Sequence, residues 1–105
     1  MSWPPDADGD AMRRLENAGF DFKQPHPVDF QIDFEGWPPA KEALLLLEDK
    51  YGPIGVYGPE DDFHGYVQCT VVEPVTYEFV TRMQREISTL MKPFGGCCDS
   101  WGVPH

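Results

Sequence analysis

The residues best suited to chemistry stand at the two ends of the chain. Asp6, Asp8 and Asp10 fall at alternate positions in Asp6-Ala7-Asp8-Gly9-Asp10, and closely spaced carboxylates suit a hard cation such as calcium. The rest of a calcium loop is not there: Ala11 stands where the glycine should follow, and Asn17 where a bidentate glutamate should close the site. Helix capping and an anionic surface are the expected roles of these aspartates. His26, His64 and His105 with Cys69, Cys97 and Cys98 could supply zinc ligands, but neither C-x-x-C nor H-x-x-x-H spacing occurs. Adjacent strand residues point to opposite faces, so one of Cys97 and Cys98 should pack inside and the other outside. Nucleophilic catalysis needs a base beside a cysteine, and no such arrangement is recognisable. No catalytic residue, metal or cofactor is therefore expected. Glu60-Asp61-Asp62 has the look of a solvated turn. Trp101 is either an apolar partner anchor or a plug at the end of the core, its indole N–H on a backbone carbonyl.

These groups must be carried by a small set of elements. Asp10 to Ala18 places Ala11, Met12, Leu15 and Ala18 on one helical face before Gly19; so short a helix has to dock on something larger. Val28, Phe30, Ile32 and Phe34 alternate with Asp29, Gln31, Asp33 and Glu35, the period of a strand with one buried face. Trp37-Pro38-Pro39 ends it, and Ala40, Ala43, Leu44, Leu47 and Tyr51 recur at helical spacing up to Gly52-Pro53. Ile54 to Tyr57 and Tyr66 to Val72 predict a hairpin. From Pro74, a proline suited to a first helical turn, Phe79, Met83, Ile87, Leu90 and Phe94 trace the stripe of the longest helix. Gly95-Gly96 ends it before a last strand, Cys97 to Trp101. A leading helix followed by this βαββαβ order predicts an α+β, ferredoxin-like sandwich on a four-stranded antiparallel sheet. Whether the extra helix covers the second sheet face stays open.

At 105 residues the chain has room for one domain, residues 1–105, with the seven Phe expected mostly inside. No leader and no apolar run of about 18 residues occurs, which predicts a cytoplasmic protein with free thiols and no membrane contact. The net charge is −10, and 14 acidic against 5 basic residues lie between Met1 and Asp62. Such a surface repels phosphate backbones and favours a basic protein segment, so direct nucleic-acid binding is not expected. Small acylphosphatases of the same fold class place an arginine in a phosphate-cradling loop after the first strand; here that stretch is acidic.

Pro5 to Leu15, then Gly19-Phe20-Asp21, Pro27-Val28-Asp29-Phe30 and Asp99-Ser100-Trp101-Gly102 together resemble the regulator of ribonuclease E activity B family, in the same order over nearly the whole chain. The resemblance implies a bacterial, non-catalytic protein that binds the basic, disordered C-terminal scaffold of ribonuclease E, inhibits the enzyme and slows messenger RNA turnover. Enterobacterial members continue past the Trp-Gly element into a long acidic tail, whereas this sequence reaches His105. The expected partner-binding residues are Asp6, Asp8, Asp10, Glu60, Asp61 and Asp62 as electrostatic contributors and Trp101 as the apolar anchor. The alternative is a ligand-sensing or structural module that forms a homodimer through an exposed sheet face, with no role at ribonuclease E. An enzyme would need a pocket lined by Cys69, His64 or Cys97 with shifted acidities.

Overall fold

The computed structural model describes residues 3–60 and 64–103. Its order is α1 (Ala7–Asn17), β1 (Pro25–Phe34), α2 (Lys41–Tyr51), β2 (Ile54–Tyr57), β3 (Tyr66–Pro74), α3 (Tyr77–Met91), a 3-10 turn (Lys92–Phe94) and β4 (Gly96–Gly102). The strands form one sheet in the order β2-β3-β1-β4, antiparallel at every pairing. The α+β class and the four-stranded antiparallel sheet are those expected. Among the described residues no helix is long and apolar enough to cross a membrane.

β1 is central because its alternation serves two neighbours at once. Val28, Phe30 and Ile32 are buried and face Val71, Cys69 and Val67 of β3, while Asp29, Gln31 and Asp33 turn to the other side. The helices cover the apolar side: Ala43 and Leu47 of α2 and Val80, Met83 and Ile87 of α3 join the same buried cluster. Leu47, Val80 and Ile87 are each 0% exposed, which on transfer energetics stabilises the fold by about 1.5–3 kcal/mol per side chain. Lys50 Nζ lies 3.1 Å from Glu86 Oε1 and the Tyr51 hydroxyl donates to the same oxygen at 3.0 Å, tying α2 to α3. Ser88 ties α3 to β4, accepting from the Cys98 amide at 2.9 Å and donating to its carbonyl at 3.1 Å.

Four sequence expectations are corrected here. α1 starts at Ala7 rather than Asp10, because the Asp6 side chain accepts the Gly9 amide proton and is itself the N-cap. Pro74 does not open the last helix; it closes β3 opposite Pro25, and α3 starts after Thr76, whose hydroxyl accepts from the Phe79 amide. The helical stripe ends in Met91, which is buried, while Leu90 and Phe94 are only partly so. The phenylalanines do not dominate the core: Phe30 and Phe79 are buried, whereas Phe20, Phe22, Phe34 and Phe94 pack at its margin. Phe63 lies outside the described residues. Met12, Met91 and the branched aliphatics fill the centre instead.

Candidate functional site

The short helix α1 settles the question of the second sheet face. Its buried Met12 and Leu15 join the common core, and it contacts α3, so it extends the helical layer and leaves the opposite face of the sheet uncovered by any helix among the described residues. What holds it there is Asp8. One carboxylate oxygen accepts the indole N–H of Trp101 at 2.9 Å, and Gln84 of α3 donates to both oxygens at 3.2 and 3.1 Å. Asp6 accepts from the Tyr77 hydroxyl at 2.6 Å and from the Gly9 amide at 2.7 Å. The Tyr77 bond, then the Gly9 bond, hold its carboxyl below the usual aspartate value.

Trp101 reaches α1 because β4 carries an irregularity. Ile32 pairs with Cys98 but Gln31 pairs with Ser100, so Asp99 is an extra residue. A bulge of this kind reverses the alternation beyond it: Ser100 faces out with Gln31, and Trp101 faces in with Phe30. Regular alternation would have put the indole on the open face. The half-buried ring instead lines a depression of about 300 Å³ with Ala11, Arg14 and Leu15. Its partner is the Asp8 carboxylate rather than a backbone carbonyl.

Of the other expected contributors, Asp10 is exposed and ion-paired with Arg13, and Glu60 is exposed beyond β2. Asp61 and Asp62 lie outside the described residues. Asp10 and Glu60 are thus the exposed carboxylates of this set without an interior partner, while Asp6 and Asp8 hold α1 in place.

The open face carries Asp29, Gln31 and Asp33 on β1, Tyr66, Gln68 and Thr70 on β3, Tyr57 on β2 and Ser100 on β4. Thr70 donates to Asp29 at 2.6 Å, and His64 sits 3.1 Å from Asp33. Tyr57 and Tyr66 stack with centroids 5.0 Å apart at 23°. Together with Glu60 and His64 these tyrosines wall a broad depression of about 670 Å³ over Gln31, Asp33 and Ser100. The sequence raised an exposed sheet face only as a surface for self-association, and of the residues gathered here it named Glu60 and His64 but neither the tyrosines nor the polar residues of β1 as a site. Its signal was present in the polar half of the β1 alternation and in the strand segments as a group, which hold Asp29, Asp33, Glu73 and Asp99 but no Lys or Arg.

The cysteines separate as expected: Cys98 is buried and Cys97 exposed. Burial pushes the Cys69 thiol up to about 11 and the Cys98 thiol up to about 12, so both are neutral at physiological pH and poor nucleophiles. His64 and Cys97 line one shallow depression with Asp33, Glu35 and Lys92, and Cys69 lies on the far side of the sheet in the core. His26 is packed on Phe20, with ring centroids 4.3 Å apart, and its Nε2 lies 2.9 Å from the Asp21 carbonyl. Among the described residues no three His, Cys, Asp or Glu side chains converge on a point where a metal could sit.

No curated protein matches the chain. The family described as Regulator of ribonuclease activity B (RraB) matches residues 5–103, a span running from the loop before α1 to the residue after β4. That is a family of regulators of ribonuclease activity rather than of catalysts, and its span takes in both the Asp8–Trp101 link and the open sheet face. The chain belongs to the Regulator of ribonuclease activity B family.

Proposed function

We propose that this chain, as a single domain, is a non-catalytic cytoplasmic regulator that binds ribonuclease E through a basic segment of its C-terminal scaffold and thereby slows RNA turnover. The observation that carries this is the family match over residues 5–103. Charge supports the choice of partner. A net charge of −10 repels RNA and accelerates encounter with a basic, disordered segment. Direct contact with nucleic acid is correspondingly disfavoured.

Self-association through the sheet is the weaker reading, because two copies of a face without Lys or Arg would set carboxylates against carboxylates. Asp10 and Glu60, with Asp61 and Asp62, are the proposed electrostatic contributors among the acidic residues. Trp101 presents only its exposed edge beside α1, and Asp6 and Asp8 act by holding that edge in position.

Calorimetric titration with the purified scaffold at two salt concentrations tests the proposal. Binding in the micromolar range or tighter that weakens as salt is raised is expected, since screening shortens to about 3 Å at 1 M. Absence of heat at either salt, with the protein folded, contradicts it.

A further inference from the structure

The sheet divides the molecule's charge. Of the eight Lys and Arg residues, Arg13 and Arg14 are on α1, Lys41 and Lys50 on α2, Arg82 and Arg85 on α3, Lys92 in the turn before β4 and Lys23 in the loop before β1; the strands hold none. Side chains of both signs are therefore interleaved on the helical layer, while the strands of the open sheet face carry carboxylates and no Lys or Arg, with His64 at 3.1 Å on one oxygen of Asp33 and the other oxygen left to accept. The same face exposes aromatic surface. Tyr57 is 47% exposed and lies flat because Gly55, two residues earlier on the same side, has no side chain: a Cβ there would meet the Tyr57 ring at 2.8 Å. The ring stacks on Tyr66, and the stack stands at the wall of the depression whose floor holds Asp33, with Glu60 at its rim.

We infer that the open sheet face is the docking surface for an arginine-bearing, extended protein segment, whose guanidinium groups stack on the Tyr57–Tyr66 pair and donate to Asp33 and Glu60. Arginine is the residue that fits both halves of this surface. Its planar cation stacks on an aromatic face and its fork of N–H groups matches a carboxylate, whereas a lysine ammonium is a strongly hydrated point charge. Gln31 and Ser100, on the floor beside Asp33, add neutral hydrogen-bonding groups for the backbone of an extended chain. A nucleic acid brings phosphates to strands that carry carboxylates and no Lys or Arg, Lys92 standing only at their edge beside Glu35 and Asp33, and is not the occupant. The assignment rests on the reading of this chain as a regulator acting by protein contact, and adds to it the surface and the residue type recognised.

The test uses the full chain with two short peptides of equal length and charge, one alternating Arg and Gly and the other Lys and Gly, read by fluorescence anisotropy at constant ionic strength. The Arg peptide is expected to bind about tenfold more tightly, the size of one aromatic–guanidinium contact with its carboxylate fork. Tyr57→Ala, and independently Gly55→Ala, which displaces the ring without removing any group, should reduce the Arg peptide to the Lys level. Asp33→Asn with Glu60→Gln should weaken both peptides, and Glu16→Gln on α1 with Glu48→Gln on α2, exposed carboxylates of the helical layer, neither. Equal affinity for the two peptides, or loss through this helical pair instead of the sheet variants, overturns the assignment. Repeating the series with the ribonuclease E scaffold separates the two claims. A scaffold that binds wild type and Tyr57→Ala alike removes this surface and leaves the regulator; an Arg peptide held at the tyrosines by a protein that ignores the scaffold leaves the surface and removes the regulator.

Discussion

Replacing Asp8 by alanine removes one carboxylate and strands donors on two other elements. The Trp101 indole N–H loses its acceptor at 2.9 Å; Gln84 loses both oxygens and keeps only the Val80 carbonyl at 3.0 Å. A hydrogen bond to a charged group is worth about 1.5–3 kcal/mol, and an acid in the first helical turn adds about 0.3–1 kcal/mol from the dipole. With Trp101 half-buried, the lower part of the first range applies, and the variant should lose about 3 kcal/mol. In a domain of this size that lowers Tm by more than about 10 °C, while leaving a folded protein. Asp8→Asn keeps an oxygen for the indole and should cost about 1 kcal/mol. The assay is urea denaturation of Asp8→Ala, Trp101→Phe and the double variant, with the Trp101 indole proton followed by NMR. A coupling of about 1–2 kcal/mol is expected, together with an upfield indole shift in Asp8→Ala. If Asp8→Ala is within about 0.5 kcal/mol of wild type and the indole shift is unchanged, the carboxylate does not hold α1 in place.

Other perturbations give distinct signs. Gly9→Ala improves helix propensity by about 1 kcal/mol, yet a Cβ there would overlap the Pro4 carbonyl, so the variant should lose rather than gain stability in thermal melts, with Trp3 emission shifted to the red. In the native protein a thiol reagent should label Cys97 alone, with Cys69 and Cys98 reacting only after denaturation, because they are buried and their thiols are held neutral; mass spectrometry of Cys97→Ser should then show no native label. Tyr77 chiefly lowers the Asp6 carboxyl and Lys50 chiefly lowers that of Glu86. The stability from these depressed groups is therefore complete above their unfolded values of 3.8 and 4.5 and is lost as pH falls through the folded ones. Denaturant midpoints should be flat just above pH 5 and decline below it, less steeply in a Tyr77→Phe/Lys50→Met variant.

The parts of the fold legible in the sequence are those encoded over short distances. The β1 alternation named its buried side chains because a strand's period is two, and the α3 stripe did the same at helical spacing through Phe79, Met83 and Ile87. Boundaries failed where one residue suits two roles. Pro74 fits a helix's first turn as well as a strand's last residue, and Asp6 could precede the helix start or be its cap. The placement of α1 was hidden because its determinants are remote: Asp8 is joined to Gln84 and Trp101, far along the chain, through a bulge at Asp99 that no local pattern announces. Counting carboxylates therefore gave Asp6 and Asp8 the same weight as the exposed Asp10 and Glu60. Pairing geometry separates them, and it also gathers Asp33, Tyr57 and Tyr66 from three strands onto one face.

The most direct test of the central claim is the rate at which full-length ribonuclease E cleaves an RNA substrate as this protein is added, beside the same enzyme lacking its C-terminal scaffold. Regulation through protein contact predicts a saturable fall in rate for the full-length enzyme and none for the truncated one. An unchanged rate for full-length enzyme at saturating protein would contradict the account.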